Sequence, residues 1–264
     1  MSKSNKWVLG SAALAVAGVV CMFLGTISIA ASFLAGGGGG GGRGGGGAEP
    51  VKPGFEGDRP VGLYFMTRFW SGTGTLEKKV WYFTPDGTAY RDLDTGFSDA
   101  DLAAHADRGT IEVDGDKMVI TWADGKTSEG SFEREGRTFT WDMGIFNPVK
   151  PFDDPDVLVG SWEGGESLSS GGNYAAVSKS LTFSGDGTFQ WSSVSFLRGT
   201  TERTEVAGGS EDGTSGTWEA DAYSLVLRDA NGTEYRRIAF PYDDEKTPAN
   251  PDWFFFGGTM YRRQ

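Results

Sequence analysis

The chain has 264 residues, 42 of them Gly, with 13% aromatics, a net charge of −12 and one Cys. Glycine turns among aromatic and β-branched runs point to an all-β protein, and the length suffices for one large core or two modest ones. Cys21 alone excludes a disulfide framework or a cysteine metal site. Residues 1–47 hold Lys3, Lys6 and Arg43 and no acid, so the rest sets 36 acids against 21 bases and lacks the basic face that nucleic acid requires.

Lys3 and Lys6 precede an uncharged stretch from Trp7 to Leu34. It exceeds the ~20 residues that cross a bilayer as a helix and the ~7–15 of a signal-peptide core. With cations before it and acids after it, the positive-inside rule places the C-terminal bulk outside the cytoplasm. The expectation is a cytoplasmic segment (1–6), a transmembrane helix or uncleaved signal anchor (7–34), and an extracytoplasmic remainder. Cleavage near Ala30 would instead release a secreted or periplasmic chain. Residues 36–47 are glycine apart from Arg43, and Pro50 and Pro53 follow, so 35–59 reads as a linker. No strand leads into that run and no Lys-Ser/Thr follows, which argues against a phosphate loop.

Over 60–150 the signals are of strands and tight turns. Gly62–Phe65 opens the unit. In Lys79–Thr84, Trp81 and Phe83 share one face and Val80 and Tyr82 the other. Pro85-Asp86-Gly87 is a hairpin turn, and Thr88–Asp92 returns from it. Ser98–Ala106 is the one helical piece, capped by Ser98 or Asp99. Lys117–Trp122 aligns Met118, Ile120 and Trp122 on one face, between turns at Asp114-Gly115 and Asp124-Gly125. Phe132 and Thr138–Phe146 supply further strands, ending at Asn147-Pro148.

Pro151–Asp156 then separates a second unit, 158–264. Val159-Gly160-Ser161-Trp162 matches Val61-Gly62-Leu63-Tyr64, and Leu181–Thr188 matches Trp81–Thr88. Gly109–Thr127 and Gly216–Glu234 align without a gap, with seven of nineteen positions identical. The polar run between Phe196 and Thr214 reads as a mobile surface loop. Phe254-Phe255-Phe256 puts rings on both faces of a late strand, so one faces outward or into an interface. Hairpins without helical crossovers give two tandem antiparallel up-and-down β-meander repeats, each closed as a barrel to remove its edges. The alternative is one barrel shared by both halves.

Gly160-Ser161-Trp162 at the start of a meander resembles the Gly-X-Trp of lipocalin and avidin-like barrels, with Gly62-Leu63-Tyr64 as an echo. The resemblance implies a β-barrel and carries over no ligand residue. The layout of anchor, glycine tether and paired hairpin repeats also resembles uncharacterised bacterial envelope proteins.

No cofactor, metal or catalytic motif stands out. His105 lies near Asp101 and Asp107, but no nucleophile elbow accompanies it. Asp153, Asp154 and Asp156, and again Asp243, Asp244 and Glu245, lack the spacing of a calcium loop and read as solvated charge. Trp81, Trp122, Trp162 and Trp218 are the candidate ligand-binding residues, since strand aromatics line cavities as well as fill cores. The expected function is a membrane-tethered, extracytoplasmic, non-catalytic binding or structural protein for a small apolar ligand, a glycan or an envelope partner. The alternative is a carboxylate-dependent hydrolase of the cell envelope, which would need two acids ~5–10 Å apart.

Overall fold

The computed structural model describes residues 50–264 except 73, 171–172, 202–203 and 243–250, with the side chains of 166–175 and 196–211 also set aside. The expected transmembrane span over 7–34 and the acids at 243–245 lie outside the described residues. Among those described, no helix is long and apolar enough to cross a membrane.

The first meander comprises β1 (Gly54–Glu56), β2 (Arg59–Trp70), β3 (Thr75–Phe83), β4 (Thr88–Arg91), β5 (Arg108–Asp114), β6 (Lys117–Trp122), β7 (Thr127–Glu135), β8 (Thr138–Trp141) and β9 (Gly144–Pro148). Each pairs with the next, and β2 also pairs with β9, which closes eight of them into a barrel. β1 arises inside the stretch read as linker. It pairs with the start of β2, and the Tyr64 hydroxyl donates to the Gly54 carbonyl at 2.8 Å. Between β4 and β5 lies the short helix α1 (Asp99–Ala104). Its capping box is complete: the Ser98 side chain accepts from the Asp101 amide, and the Asp101 carboxylate accepts from the Ser98 amide.

After a 3₁₀ turn at Pro155–Leu158, the second meander runs β10 (Gly160–Ser170), β11 (Asn173–Phe183), β12 (Thr188–Thr201), β13 (Thr204–Asp221), β14 (Ser224–Asp229), β15 (Glu234–Pro241), β16 (Trp253–Phe256) and β17 (Thr259–Arg263). It too is a closed barrel. The two barrels are separate, so the shared-barrel alternative does not hold.

The strand registers of the two barrels coincide. Gly62↔Phe83 corresponds to Gly160↔Phe183, Gly109↔Trp122 to Gly216↔Asp229, and Tyr64↔Pro148 to Trp162↔Arg263. Side chains alternate between faces with period two, so a shared register means that corresponding residues also point the same way.

Residues 196–214, expected to be a mobile loop, are instead strand. β12 and β13 pair without interruption from Thr188↔Thr217 to Thr201↔Thr204, and β11 covers the other side of β12 as far as Arg198. Polar composition misleads here because a hairpin satisfies backbone donors and acceptors whatever the side chains are.

Inward faces of the first barrel bury Tyr64, Trp81, Phe83, Ile111, Met118, Ile120, Phe139 and Phe146. Those of the second bury Trp162, Leu181, Phe183, Leu225, Leu227, Phe254 and Tyr261. A third cluster lies outside both barrels and joins them. Leu63, Phe65, Val80 and Tyr82, on the outward faces of β2 and β3, pack against Tyr223, Ile238, Phe240 and Phe255. The Phe65 ring sits 5.7 Å from Phe240 and 5.3 Å from Phe255. Hydrogen bonds cross or flank this seam, among them Tyr223 Oη to the Val149 carbonyl at 3.1 Å, the Ile238 amide to the Asp94 carbonyl at 2.6 Å, and the Phe152 amide to the Ala222 carbonyl at 2.8 Å. The Phe254–Phe256 run therefore has two inward rings and one interfacial ring. Both barrels fall within one compact unit.

Candidate functional site

The inward stripe of β2 reads Tyr64, Met66, Arg68, Trp70. It is apolar deep in the barrel and turns charged at the end. Arg68 is the anomaly, a guanidinium on a core-facing stripe, and it is held by two acids. Its Nε donates to Glu77 Oε2 at 3.0 Å, and one Nη donates to the Asp142 carbonyl at 3.0 Å and to Asp142 Oδ2 at 2.6 Å. Glu77 also accepts from the indole N–H of Trp70 at 3.0 Å. Partial burial pushes the Glu77 carboxyl up, but the hydrogen bonds from Arg68 and Trp70 outweigh it and leave its pKa below the usual carboxylate range.

Around Arg68 an open depression of about 270 Å³ is lined by Met66, Trp81, Arg91, Trp122, Ser128, Trp141, Asp142, Gly144 and Phe146 as well. The centre of a water molecule can move through only about 20 Å³ of it, room for about one buried water. The barrel below is filled by rings, so this is a shallow site at one end and not a lipocalin-style internal cavity.

Three indoles meet here. Trp81 lies 5.8 Å from both Trp122 and Trp141, ring centre to ring centre. Trp141 Nε1 donates to the Met118 carbonyl at 2.9 Å, and Trp122 Nε1 donates to Ser128 Oγ at 2.8 Å. Trp81 Nε1 is buried and has no hydrogen-bond partner. Leaving such a donor unmet costs roughly 1–3 kcal/mol, so it stands out among otherwise satisfied neighbours. At the rim, the Arg91 guanidinium lies 4.5 Å above the Trp122 ring and pairs with Asp107 Oδ2 through Nε and one Nη, at 3.3 and 3.1 Å.

The turn that carries Asp142 is strained. Asp142 and Met143 have φ of 47° and 61°, whereas the corresponding turn of the second barrel uses Gly257 and Gly258 at 54° and 82°. Two successive non-glycine residues in this region cost roughly 1–2 kcal/mol each, and such strain clusters at functional sites. The two hydrogen bonds from Arg68 to Asp142, one to its carbonyl and one to its carboxylate, help hold the turn.

Of the candidate tryptophans, the fold brings Trp81 and Trp122 together at this depression. Trp162 and Trp218 sit in the other barrel. Trp162 is fully buried, its Nε1 donating to the Leu158 carbonyl at 2.7 Å, and Trp218 Nε1 donates to the Ser184 carbonyl at 3.1 Å. The sequence reading missed Arg68, Arg91, Ser128, Trp141 and Asp142. Arg68 carried a usable signal, since an arginine in phase with Tyr64 and Met66 on one strand has to be explained.

The other chemical candidates have local partners. His105 ends α1, with Nε2 2.7 Å from the Arg91 carbonyl, while Asp101 serves the capping box and Asp107 holds Arg91. Asp154 caps the 3₁₀ turn through the Asp156 amide. Among the described residues, no group of three or more His, Cys, Asp or Glu is placed to hold a metal ion. No family model matches the chain, and no curated protein or solved structure is significantly similar to it.

Proposed function

We propose that this is a membrane-tethered, extracytoplasmic, non-catalytic binding protein whose ligand is taken at the open end of the first barrel. The carrying observation is the unpartnered indole N–H of Trp81, buried within a cluster of three tryptophans that opens to solvent. A convergence of aromatic faces with a few fixed polar groups is the usual composition of a small-molecule site. Tethering rests on the apolar stretch 7–34 and the cations before it. The acids at the site hold arginines, which favours binding over general acid–base work.

The test uses the full-length chain with nitrogen-15 labelled indoles. It is screened by thermal shift against anilinonaphthalene sulfonate, neutral and acidic oligosaccharides, and cell-envelope extract. At least one should raise the melting temperature and move the Trp81 N–H resonance. Hydrolysis of the bound compound by wild type, lost in Asp142→Asn, would sink the non-catalytic reading. Recovery from the membrane fraction of a chain beginning at Ala31 or later would overturn the anchor.

A further inference from the structure

We infer that the ligand is an uncharged saccharide, one ring of which lies on the indole surface with a hydroxyl reaching Trp81. This rests on reading the depression as a binding site and concerns only what fills it.

The lining decides between ligand classes by what each would leave unpaired. Arg68 is fully engaged by Glu77 and Asp142, and Arg91 is held by Asp107. An anion would have to displace one of these carboxylates while also facing Asp142. A cation would face two guanidinium groups. An apolar molecule would cover the free oxygen of Asp142 and the free Nη of Arg91 without satisfying them, at a cost of several kcal/mol, and would leave the buried Trp81 donor unmet. What remains on offer is a mixture. Trp81 Nε1–H is a free donor, and so is the second Nη of Arg91 among the described residues. Ser128 accepts from Trp122 and keeps its own O–H to give. Asp142 binds Arg68 through one oxygen and leaves the other to accept. Groups that both donate and accept, on a flat ring with an apolar C–H face, match this set, and sugars supply them. Trp122, half-buried at the rim with the Arg91 guanidinium over its ring, supplies the apolar contact surface, while Trp141 is buried and backs it. Room for about one water centre below the rim fits an inserted hydroxyl, with the ring itself lying over the opening.

The second barrel supplies an internal contrast. The shared register puts Leu181 at the place of Trp81, Trp191 at Arg91, Asp229 at Trp122 and Gly257 at Asp142. With Tyr235 at the place of Ser128, it lacks the Trp81 donor, the Arg91 guanidinium and the Asp142 carboxylate at the equivalent end.

The experiment is a glycan array of neutral, acidic and amino oligosaccharides probed with the full-length chain. Hits are then titrated by indole resonance and tryptophan fluorescence. A neutral glycan should bind and shift Trp81 Nε1–H. Trp122→Ala should weaken it about tenfold, and Trp81→Phe should weaken it about tenfold with the ring shape largely kept. Trp253→Ala, in the other barrel, should leave binding unchanged. Because Trp81 is core, its variant counts only where the melting curve stays cooperative, and Trp122→Ala at the rim carries the test otherwise. Binding of acidic glycans or of anilinonaphthalene sulfonate at Trp81, with neutral glycans inert, overturns the saccharide class and leaves the site standing. If nothing in either screen moves Trp81, both readings fail.

Discussion

The two barrels share every strand register yet differ in what their inward faces carry. In the first, the inward stripe ends in Arg68, three clustered indoles and a turn held at positive φ without glycine. In the second, the corresponding positions are Leu181, Asp229 and the relaxed Gly257-Gly258 turn. Register is set by hairpin turns and by the apolar face, so duplication can keep both while the residues at one end diverge. The difference teaches that the scaffold is common property and that the chemistry belongs to one copy. The barrels also use their outward faces differently from an isolated meander, since Phe65, Tyr82, Phe240 and Phe255 are buried outside either barrel.

Breaking the seam should give the largest effect. Phe65→Ala removes a ring packed within 5.2–5.7 Å of three others and should destabilise by about 3–4 kcal/mol. Denaturant unfolding followed by separate probes in each barrel should then split from one transition into two. A single transition with an unchanged midpoint would show that the Phe65 packing contributes little to stability or to the coupling of the barrels.

Alkaline pH sharpens the comparison within each core. Burial pushes the Tyr64 hydroxyl in the first barrel up to about 12, and burial likewise raises Tyr235 in the second to about 12. The unfolded phenols ionise near 10. Folding favours the neutral form, so the stabilisation is complete below pH 10 and is lost as pH rises from 10 through 12. Absorbance titration should show both ionising above the exposed tyrosines, in step with loss of near-ultraviolet dichroism. Replacing either by Phe should blunt that loss, and an unchanged profile in both variants would count against this account.

The smallest change concerns the strained turn. Met143 is exposed and at φ 61°. Met143→Gly removes the left-handed strain but adds chain entropy to the unfolded state, for a net gain of about 0.5 kcal/mol. The same variant should loosen Asp142 and weaken glycan binding slightly. A stability loss above about 1 kcal/mol would show that Met143 makes a contact worth more than the strain.

Much of the scaffold was legible from the chain. Trp81 and Phe83 against Val80 and Tyr82, and Met118, Ile120 and Trp122 together, follow from period two, and the faces are as expected. The Asp-Gly turns, the helix cap at Ser98 and the duplicated hairpin were equally local. The pairing of β12 with β13 over 196–214 was not legible, because its ladder is backbone and its side chains are polar.

The sequence by itself determined a repeated all-β meander, where it turns, and which residues face which way, since these depend on neighbours a few positions apart. Only the tertiary structure decided which face meets which. Closure of β2 on β9 brings Asp142 to Arg68 across 74 residues, and packing of one barrel on the other hides the outward rings of Phe65, Tyr82, Phe240 and Phe255. Those encounters are long-range, and no local pattern encodes them. They leave one indole donor in the first barrel without a partner.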